Sequence, residues 1–123
     1  YLGHLPALSP ELHCKENLDY LTQLSISSSN QALDNALTNV GLKNFEYVYA
    51  AHLSAGQKRR VVLSALFITQ AKVWLLDEPF TALDADGINV IETQITKHCD
   101  DGGICVLTTH QKSNLHGLKT LTL

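Results

Sequence analysis

Two polar pairs end two short apolar runs in the C-terminal half of the chain: Asp77 and Glu78 follow one run, and Thr109 and His110 follow the other. In open α/β sheets, ligands bind at the carboxyl ends of the strands. Two adjacent carboxylates at such a place suit a metal–phosphate site, because one can hold Mg²⁺, directly or through water, while the next orients a nucleophilic water. An acidic pair is also common where any strand enters a turn, and a single histidine is common on any surface. Each pair by itself therefore leaves both interpretations open.

A second candidate site lies earlier, at Leu53-Ser54-Ala55-Gly56-Gln57, where a helix is predicted to begin. The first backbone N–H groups of a helix have no partner inside it, and the helix dipole is positive at that end. A helix start made of small residues therefore favours an anion such as phosphate. The same five residues also match an ordinary capped helix, which needs no ligand.

These candidate groups need a sheet and covering helices to hold them in place. The runs at 73–77 and 104–108 are short, continuous and apolar, which is typical of strands buried on both faces. Between them, isoleucines recur at helical spacing over 88–95, and Gly102-Gly103 predicts the end of that helix. The order strand, helix, strand predicts a parallel pair joined by a right-handed crossover.

The N-terminal part of the chain, from Ser9 to about Gly41, shows helical periodicity. Ser9-Pro10-Glu11 has the order of an N-cap, a proline at the first helical position and an acid in the first turn, which predicts a first helix from Ser9. The polar run at 27–30 predicts a loop that caps a second helix, and Gly41 predicts its end. Residues 42–53 have no clean period and are predicted to be a connector. The second helix is expected to bury one face, made of Leu33, Ala36, Leu37 and Val40.

Two further elements are predicted, a buried helix and an edge strand. From Ser54 to about Gln70 the residues are apolar on most sides, as in a helix with little exposure to water. The cationic run Lys58-Arg59-Arg60 within it is typical of a solvated or salt-bridged face. Residues 118–123 alternate in polarity as an edge strand does.

The composition restricts the class of protein. With 45% hydrophobic and 17% charged residues in 123 positions, the sequence indicates one small globular domain and excludes a disordered or collagen-like chain. The net charge of −3 is a poor footprint for a nucleic-acid partner. The longest apolar stretch, near 61–68, is far shorter than the roughly 20 residues of a membrane-crossing helix. Cys14, Cys99 and Cys105 form no C-x-x-C pair and are expected to be reduced thiols.

The order of four short motifs adds to these single signals. The chain contains LSAGQ at 53–57, VWLLDEP at 73–79, TALD at 81–84 and TTH at 108–110. In this order and spacing the motifs resemble those of the ATP-binding subunits of ABC transporters, over essentially the whole chain. The resemblance implies an α/β fold, namely part of a P-loop NTPase core with parallel strands and covering helices, plus an α-helical subdomain.

The resemblance also implies the ligands, ATP and Mg²⁺, and a role for each matching residue. Asp77 matches the Walker B aspartate that positions Mg²⁺ through water, and Glu78 matches the catalytic base that polarises the attacking water. His110 matches the switch histidine that contacts the γ-phosphate. Asp84 belongs to the D-loop, which communicates across a dimer. The signature motif, which caps the γ-phosphate of an ATP held by the opposite subunit, corresponds to Ser54, Ala55, Gly56 and Gln57, with alanine at 55 where the family usually has glycine.

Finer features are similar to one branch of the family, the ATPase subunits of the haem exporter used in cytochrome c biogenesis. These features include LSAGQKRR, TTHQ and Trp74 before LLDEPFTALD. Residues 1–4 resemble the strand that leads into the Q-loop, with His4 in place of the family's glutamine. Residues 9–52 resemble the helical subdomain, which leaves about 53–123 as the C-terminal side of the nucleotide-binding core of a single partial domain.

The resemblance implies partners and a location. It implies a second ATPase subunit, with ATP at the dimer interface, and integral membrane transporter subunits, and it places the protein peripherally on the cytoplasmic face of the inner membrane. The membrane subunit would bind a groove at 4–24, which needs apolar anchors and a polar rim. Leu5 and Leu8 flank prolines in an irregular stretch and are expected to be exposed, whereas Leu18 is expected to pack in the core.

One part of the family pattern is missing from the chain. No G-x-x-x-x-G-K-[ST] is present, the loop whose backbone N–H groups and lysine hold the phosphates of ATP. The chain also lacks methionine and begins with Tyr1, so we expect a piece of a longer protein whose front is absent. It opens with no charged-then-apolar leader, so no signal for secretion is expected in it. The intact subunit would be an ABC-type ATPase, but this chain alone is expected to be inactive. It is also expected to be poorly soluble, with strand 73–77 as an open apolar edge.

Two other functions stay open on the sequence alone. One is a non-hydrolysing ABC fragment that acts only as a binding module, which the missing P-loop favours. The other is a soluble ABC-type ATPase that is not linked to transport and acts on DNA or ribosomes. A long coiled-coil insertion or basic arms would favour that function, and the sequence contains neither.

Overall fold

The computed structural model of the chain describes residues 1–23 and 28–121. Its N-terminal part is helical and its C-terminal part alternates strand, helix and strand, which confirms the predicted α/β class. None of the helices in this described part is both long and apolar enough to span a membrane. In chain order the elements are α1 (Cys14–Thr22), α2 (Asn30–Asn39), a 3₁₀ turn (Ala50–His52), α3 (Ala55–Ser64), a second 3₁₀ turn (Ala65–Phe67), β1 (Val73–Asp77), α4 (Ala85–Asp100) and β2 (Ile104–Thr108).

The first helix begins later than the pattern at 9–11 predicts. α1 starts at Cys14, and the residues before it form a turn in which the Leu12 N–H donates to the Ser9 carbonyl at 3.2 Å. The buried side chain of Asn17 holds this turn: its Nδ2 lies 3.0 Å from Ser9 O and 3.1 Å from Leu12 O, and its Oδ1 accepts from the Ser9 N–H at 2.8 Å. Asn17 therefore satisfies backbone groups that a longer helix would have paired.

The second helix agrees with its prediction. Ser29 Oγ accepts from the Ala32 N–H at 3.2 Å as the N-cap of α2, and Gly41 follows the helix with a φ of +79°. Of the predicted loop at 27–30, residue 27 lies outside the described residues. The predicted apolar face is buried and consists of Leu33, Ala36, Leu37 and Val40.

The connector at 42–53 folds back along the start of α1. The Cys14 N–H donates to Val48 O at 3.0 Å, and the Ala50 N–H donates to Leu12 O at 2.9 Å. The connector then ends in the first 3₁₀ turn. These backbone hydrogen bonds fix the point at which the chain enters α3.

α3 is shorter than predicted, because it ends at Ser64 and a 3₁₀ turn follows where the sequence predicts helix to about Gln70. The N–H groups of Ile68 and Thr69 both converge on the Ala65 carbonyl, at 3.1 and 3.0 Å, which tightens the last turn and ends the helix. The predicted burial is correct for Val61, Val62, Leu63, Ala65 and Leu66, whereas Ile68, which the same apolar pattern predicts to be buried, is half-buried.

β1 and β2 form a parallel pair connected by α4, as the strand–helix–strand order predicts. In their register, Asp77 lies opposite Thr108, so the two strands end at the same level. α4 ends at Asp100, and Gly102, with a φ of +89°, makes the turn that leads into β2. The connection therefore aligns the polar residues that follow each strand.

The edges of the sheet differ from the prediction. On the side of β1 away from β2, Leu2 forms an isolated parallel bridge to Leu76, which pairs the carboxyl end of β1 and leaves its start without a partner among the described residues. No strand in the described part of the chain pairs with the outer side of β2. Residues 118–121 form no strand, contrary to the alternation of 118–123, and 122–123 lie outside the described residues.

In the described part of the chain, helices cover one face of the sheet. Trp74 and Leu76 pack into the same core as the buried residues of α3 and α4, and the Trp74 ring stacks on His98 of α4 with 3.7 Å between ring centroids. The prediction that both strands are buried on both faces is wrong, since within the described residues the helices lie against one face and the alternating side chains of the other reach solvent. These exposed side chains are Val73 (51%), Leu75 (44%), Ile104 (59%) and Val106 (55%).

Candidate functional site

Asp77 and Thr108 meet at the carboxyl ends of β1 and β2. Thr108 Oγ1 donates to Asp77 Oδ1 at 2.6 Å. The same hydroxyl accepts from the Glu78 N–H at 3.1 Å, and this N–H also lies 3.1 Å from the Thr108 carbonyl oxygen. Thr108 therefore holds the carboxylate of one acidic residue and the backbone of the next.

Glu78 has a strained backbone. Its φ of +48° lies in the left-handed region, which costs a residue with a Cβ on the order of 1–3 kcal/mol. Pro79 and Phe80, which follow it, are buried and anchor the turn. Strain of this kind persists only where the surroundings over-determine the conformation, and it is concentrated at functional turns.

His110 lies beside the carboxylate of Glu78. Its Nε2 is 3.3 Å from Glu78 Oε1, and its backbone N–H donates to Glu78 Oε2 at 3.3 Å. The Glu78 side chain is 15% exposed, whereas the His110 side chain is 98% exposed. The structure thus brings Asp77, Glu78 and His110 together at one edge of the sheet.

The donor atoms at this edge fit a magnesium ion. Asp77 offers a carboxylate and Thr108 a hydroxyl, and oxygen atoms are the ligands that Mg²⁺ prefers while it keeps several waters. The Glu78 carboxylate is hydrogen-bonded to the His110 backbone and stays partly exposed, as a group that orients a water must be.

The predicted anion site at the start of α3 is also a capping box. Ser54 Oγ accepts from the Gln57 N–H at 3.2 Å, and Gln57 Oε1 accepts from the Ser54 N–H at 2.9 Å. Ser54 and Ala55 are exposed. The N–H groups of Ala55 and Gly56 lie in the first turn of α3, where backbone donors have no intrahelical partner and an anion can bind them. The capped helix and the anion site are therefore compatible here.

The start of α3 packs closely against the turn at 81–84. A Cβ added to Gly56 would lie 2.7 Å from the Ala82 carbonyl oxygen, so only glycine permits this approach. Ala82 itself has a φ of +62°. Packing within the chain thus requires the glycine of LSAGQ, in addition to any role with phosphate.

Asp84 has a structural role within the chain. Its Oδ1 accepts from the Gly87 N–H at 2.9 Å, which caps α4, and from Arg60 Nη2 at 2.5 Å. Arg60 also donates to the Val40 carbonyl at 2.7 Å. Asp84 and Arg60 therefore join the start of α4 to α3 and to the end of α2.

Sequence reasoning missed the roles of two residues at this site. The cationic run at 58–60 predicts a solvated or salt-bridged face. This is correct for Arg60, which forms an ion pair with Asp84, but wrong for Arg59, which is 2% exposed. A signal for its burial exists, because Arg59 lies three and four positions before the buried Val62 and Leu63. The second residue is Thr108. The sequence points to Thr109 as the polar residue after the strand, but the register of the two strands places Thr108 opposite Asp77.

Comparison with known proteins identifies the family of this chain. The family profile described as ABC transporter matches residues 1–81. The chain is 40% identical, over its whole length, to "Cytochrome c biogenesis ATP-binding export protein CcmA" of Histophilus somni. It is 47% identical, over 89% of its length, to the protein of the same name from Pseudomonas syringae pv. tomato. The chain covers 57% and 52% of these two relatives, so it spans just over half of their length.

Solved structures show the same fold. One match is the dimeric post-hydrolysis structure of the ATP-binding cassette MJ0796 bound to ADP and Pi, with a TM-score of 0.77 and 24% sequence identity. The match covers 89% of this chain and 51% of the MJ0796 chain. A second dimeric structure of MJ0796, a bacterial ABC transporter cassette, has a TM-score of 0.75 and 26% identity, with the same two coverages. The fold is therefore part of an ATP-binding cassette core. Together with the profile match and the relatives, this shows that the chain belongs to the ABC transporter family.

Proposed function

We propose that the chain is part of an ABC-type ATPase subunit that couples ATP hydrolysis to a membrane partner in cytochrome c biogenesis, where it serves haem export or handling. The observation that carries the proposal is the convergence of Asp77, Glu78 and His110 at the ends of two parallel strands. The printed names of the relatives, which describe ATP-binding export proteins of cytochrome c biogenesis, support the choice of pathway.

In this proposal Glu78 is the catalytic base. It accepts a proton from the water that attacks the γ-phosphate of ATP, and His110 contacts the same phosphate. The turn holds the Glu78 carboxylate at the sheet edge, where its side chain is largely shielded but still reaches solvent. Because a fixed base loses little freedom on reaction, its geometry contributes to the rate.

Asp77 would hold Mg²⁺ through water. An ion held there would supply positive charge to offset the charge that develops on the phosphates. Thr108 donates to Asp77 Oδ1 and so orients the carboxylate.

The remaining site residues serve a nucleotide held by a second subunit. Ser54, Ala55, Gly56 and Gln57 present the positive end of α3, with two backbone N–H groups available to the γ-phosphate. The turn at 81–84 lies against this helix start through Ala82 and is joined to α3 by the contact of Asp84 with Arg60, and in this proposal it communicates across the dimer. The dimers named for MJ0796 support a two-subunit arrangement.

The proposed organisation is a single partial domain, with a helical subdomain at about 9–52 and the C-terminal side of the nucleotide-binding core at about 53–123. No P-loop motif occurs in the 123 residues, so the chain supplies the catalytic edge and the signature helix without the phosphate-binding loop. By itself it binds MgATP marginally and does not hydrolyse it.

The proposed subunit is peripheral to the cytoplasmic face of the inner membrane and binds integral membrane transporter subunits. The groove assigned to them runs over 4–24, of which residue 24 lies outside the described residues. Leu5 is 79% exposed, as expected for an anchor, and the 71% exposed Tyr20 lies farther along. Leu8 packs against the core and Leu18 is fully buried, so the exposure predicted for Leu8 is not found. Nucleic acid is not proposed as a partner, given the net charge of −3.

The test uses this chain within a subunit extended to the full length of its curated relatives, called here the extended subunit. We expect Glu78→Gln to retain ATP binding and to abolish hydrolysis, because the amide fills the same space but does not accept a proton from water. The dimer should persist with ATP trapped in it. Glu11→Gln, at an exposed glutamate outside the site, is the matched control and should hydrolyse ATP at the unchanged rate.

Each other outcome selects a different function. Hydrolysis by Glu78→Gln at the wild-type rate contradicts the assignment of the base and makes His110 the leading candidate. ATP binding without hydrolysis by the unmodified extended subunit indicates a binding module. Turnover by the 123-residue chain alone that vanishes in Glu78→Gln contradicts the expected inactivity of the chain.

A further inference from the structure

Arg59 is a buried cation whose guanidinium is hydrogen-bonded to four backbone carbonyls. Nη1 lies 2.6 Å from Gly3 O and 3.3 Å from His4 O, and Nη2 lies 2.8 Å from Asp77 O and 2.9 Å from Glu78 O. The residue is 2% exposed. One side chain of α3 therefore joins the N-terminal segment to the end of β1.

The charge of Arg59 is held in place without a direct carboxylate partner. Burial lowers the pKa of Arg59, and the negative charges of Asp77 and Glu78 raise it in part. A guanidinium nevertheless stays protonated at neutral pH. A buried cation is costly unless its donors are satisfied. Both terminal nitrogens of Arg59 are satisfied by backbone carbonyls, whereas its buried Nε has no partner among the described residues. What Arg59 contributes, and an apolar residue would not, is its set of hydrogen bonds to backbone carbonyls.

These hydrogen bonds act on the strained residue that carries the proposed base. The carbonyl of Glu78 is held by Arg59, and its N–H is held by Thr108, so both backbone polar groups of the residue are fixed. With both groups held, the left-handed φ of +48° is maintained and the carboxylate leaves the backbone in one direction. The neighbouring Arg60 has none of these contacts and instead joins Val40 and Asp84.

We propose that Arg59 is a positioning residue that ties the signature helix α3 and the N-terminal segment at Gly3–His4 to the backbone of Asp77 and Glu78, and so fixes the catalytic carboxylate. The proposal rests on the proposed function for the role of Glu78. It assigns Arg59 no contact with ATP. Its effect on the reaction passes through the backbone of the acidic pair.

The test compares Arg59→Met and Arg59→Lys in the extended subunit. Arg59→Met removes every donor and should lower kcat about 100-fold, as expected when a reacting group is displaced by about 1 Å, with the KM for ATP nearly unchanged. Arg59→Lys keeps the charge but not the planar guanidinium that spans both pairs of carbonyls, so its kcat should lie between those of the wild type and Arg59→Met. The matched control is Lys58→Met, which removes the adjacent cation of the same helix and should keep the wild-type kcat.

Amide hydrogen exchange gives a readout that does not depend on turnover. The N–H groups of Leu2, Asp77 and Glu78 donate to Leu75 O, Leu2 O and Thr108 O, so they report on the segments that Arg59 joins. Arg59→Met should accelerate exchange at these three amides and leave exchange in α2 unchanged. Lys58→Met should change neither.

A wild-type kcat in a folded Arg59→Met or Arg59→Lys variant overturns the proposal. A loss of kcat that matches the unfolded fraction, with normal turnover per folded molecule, also overturns it, because the role is then only structural. If Arg59→Met does not fold, the kcat and exchange of Arg59→Lys decide. Failure of the wild-type extended subunit to hydrolyse ATP overturns the proposed function instead, and the exchange measurement alone then decides whether Arg59 holds the two segments.

Discussion

Thr108 holds the side chain of Asp77 and the backbone of Glu78. Its hydroxyl donates to Asp77 Oδ1 at 2.6 Å and accepts from the Glu78 N–H at 3.1 Å. Hydrogen bonds to a charged group contribute about 1.5–3 kcal/mol, more than those between neutral groups. Loss of the hydroxyl therefore disturbs the Asp77 carboxylate and the Glu78 backbone without removing either residue.

This leads to a prediction for the isosteric change Thr108→Val in the extended subunit. It should lower kcat about 10-fold or more, the equivalent of losing one charge-assisted hydrogen bond, and raise the Mg²⁺ concentration needed for half-maximal activity. Thr108→Ser keeps the hydroxyl and should retain most of the activity. The measurement is ATPase rate against Mg²⁺ concentration, and equal curves for Val and Ser would contradict a role for the hydroxyl.

At the scale of elements, the start of α3 and the turn at 81–84 are packed as one unit. The Gly56 backbone approaches Ala82 O so closely that a Cβ has no room, and the turn has no flexible side chain there that can yield. Arg60 and Asp84 join the same two elements by a second contact. A shift of the helix start is therefore transmitted to the turn.

The corresponding prediction is that Gly56→Ala destabilises the extended subunit by about 1–3 kcal/mol, the usual cost of overpacking against rigid atoms. Thermal unfolding should show a lower Tm. Ala55→Ser, which adds one atom at the exposed neighbouring position, serves as the control and should leave the Tm within error. If both variants unfold at the wild-type temperature, the close approach of Gly56 to Ala82 is not significant for stability.

At the scale of the whole molecule, two of the apolar surfaces that reach solvent are relevant to association. One is the uncovered sheet face, whose exposed strand residues alternate with buried ones in β1 and with half-buried ones in β2. The outer side of β2 also lacks a partner strand within the described residues. An apolar face beside an open strand edge favours association, in line with the expected poor solubility of the chain alone. The other surface is at Leu5, in the segment assigned to the membrane partner.

A prediction for the membrane partner follows from the exposure of Leu5. When the extended subunit is produced with its membrane subunits, Leu5→Asp should release it from the membrane fraction, because a carboxylate in an apolar contact is costly to desolvate. ATP hydrolysis by the released subunit should stay largely intact. Leu121→Asp, at an 87% exposed leucine outside the groove, is the control. Fractionation of Leu5→Asp with the membrane, as for wild type, would remove the groove assignment.

The sequence by itself determined the order of strand, helix and strand and the position of the acidic pair at the end of the first strand. Apolar runs of strand length, isoleucines at helical spacing and Gly102-Gly103 are local signals, and they predicted β1, α4 and β2 correctly. The motifs at 53–57 and 77–78 placed the candidate residues at a helix start and a strand end for the same reason. Periodicity and turn residues are local features of the sequence, so they can be interpreted without knowledge of distant contacts.

Only the tertiary structure decided what these residues touch. α1 starts at Cys14 because the side-chain amide of Asn17 forms hydrogen bonds with the backbone of Ser9, eight positions earlier. The hydrogen-bond partners of Arg59 are carbonyls 18 to 56 positions distant, which its helical spacing does not reveal. The exposure of one sheet face likewise depends on which side α3 and α4 pack against. Contacts between residues far apart in sequence arise only when the elements assemble, and composition and spacing do not encode them directly.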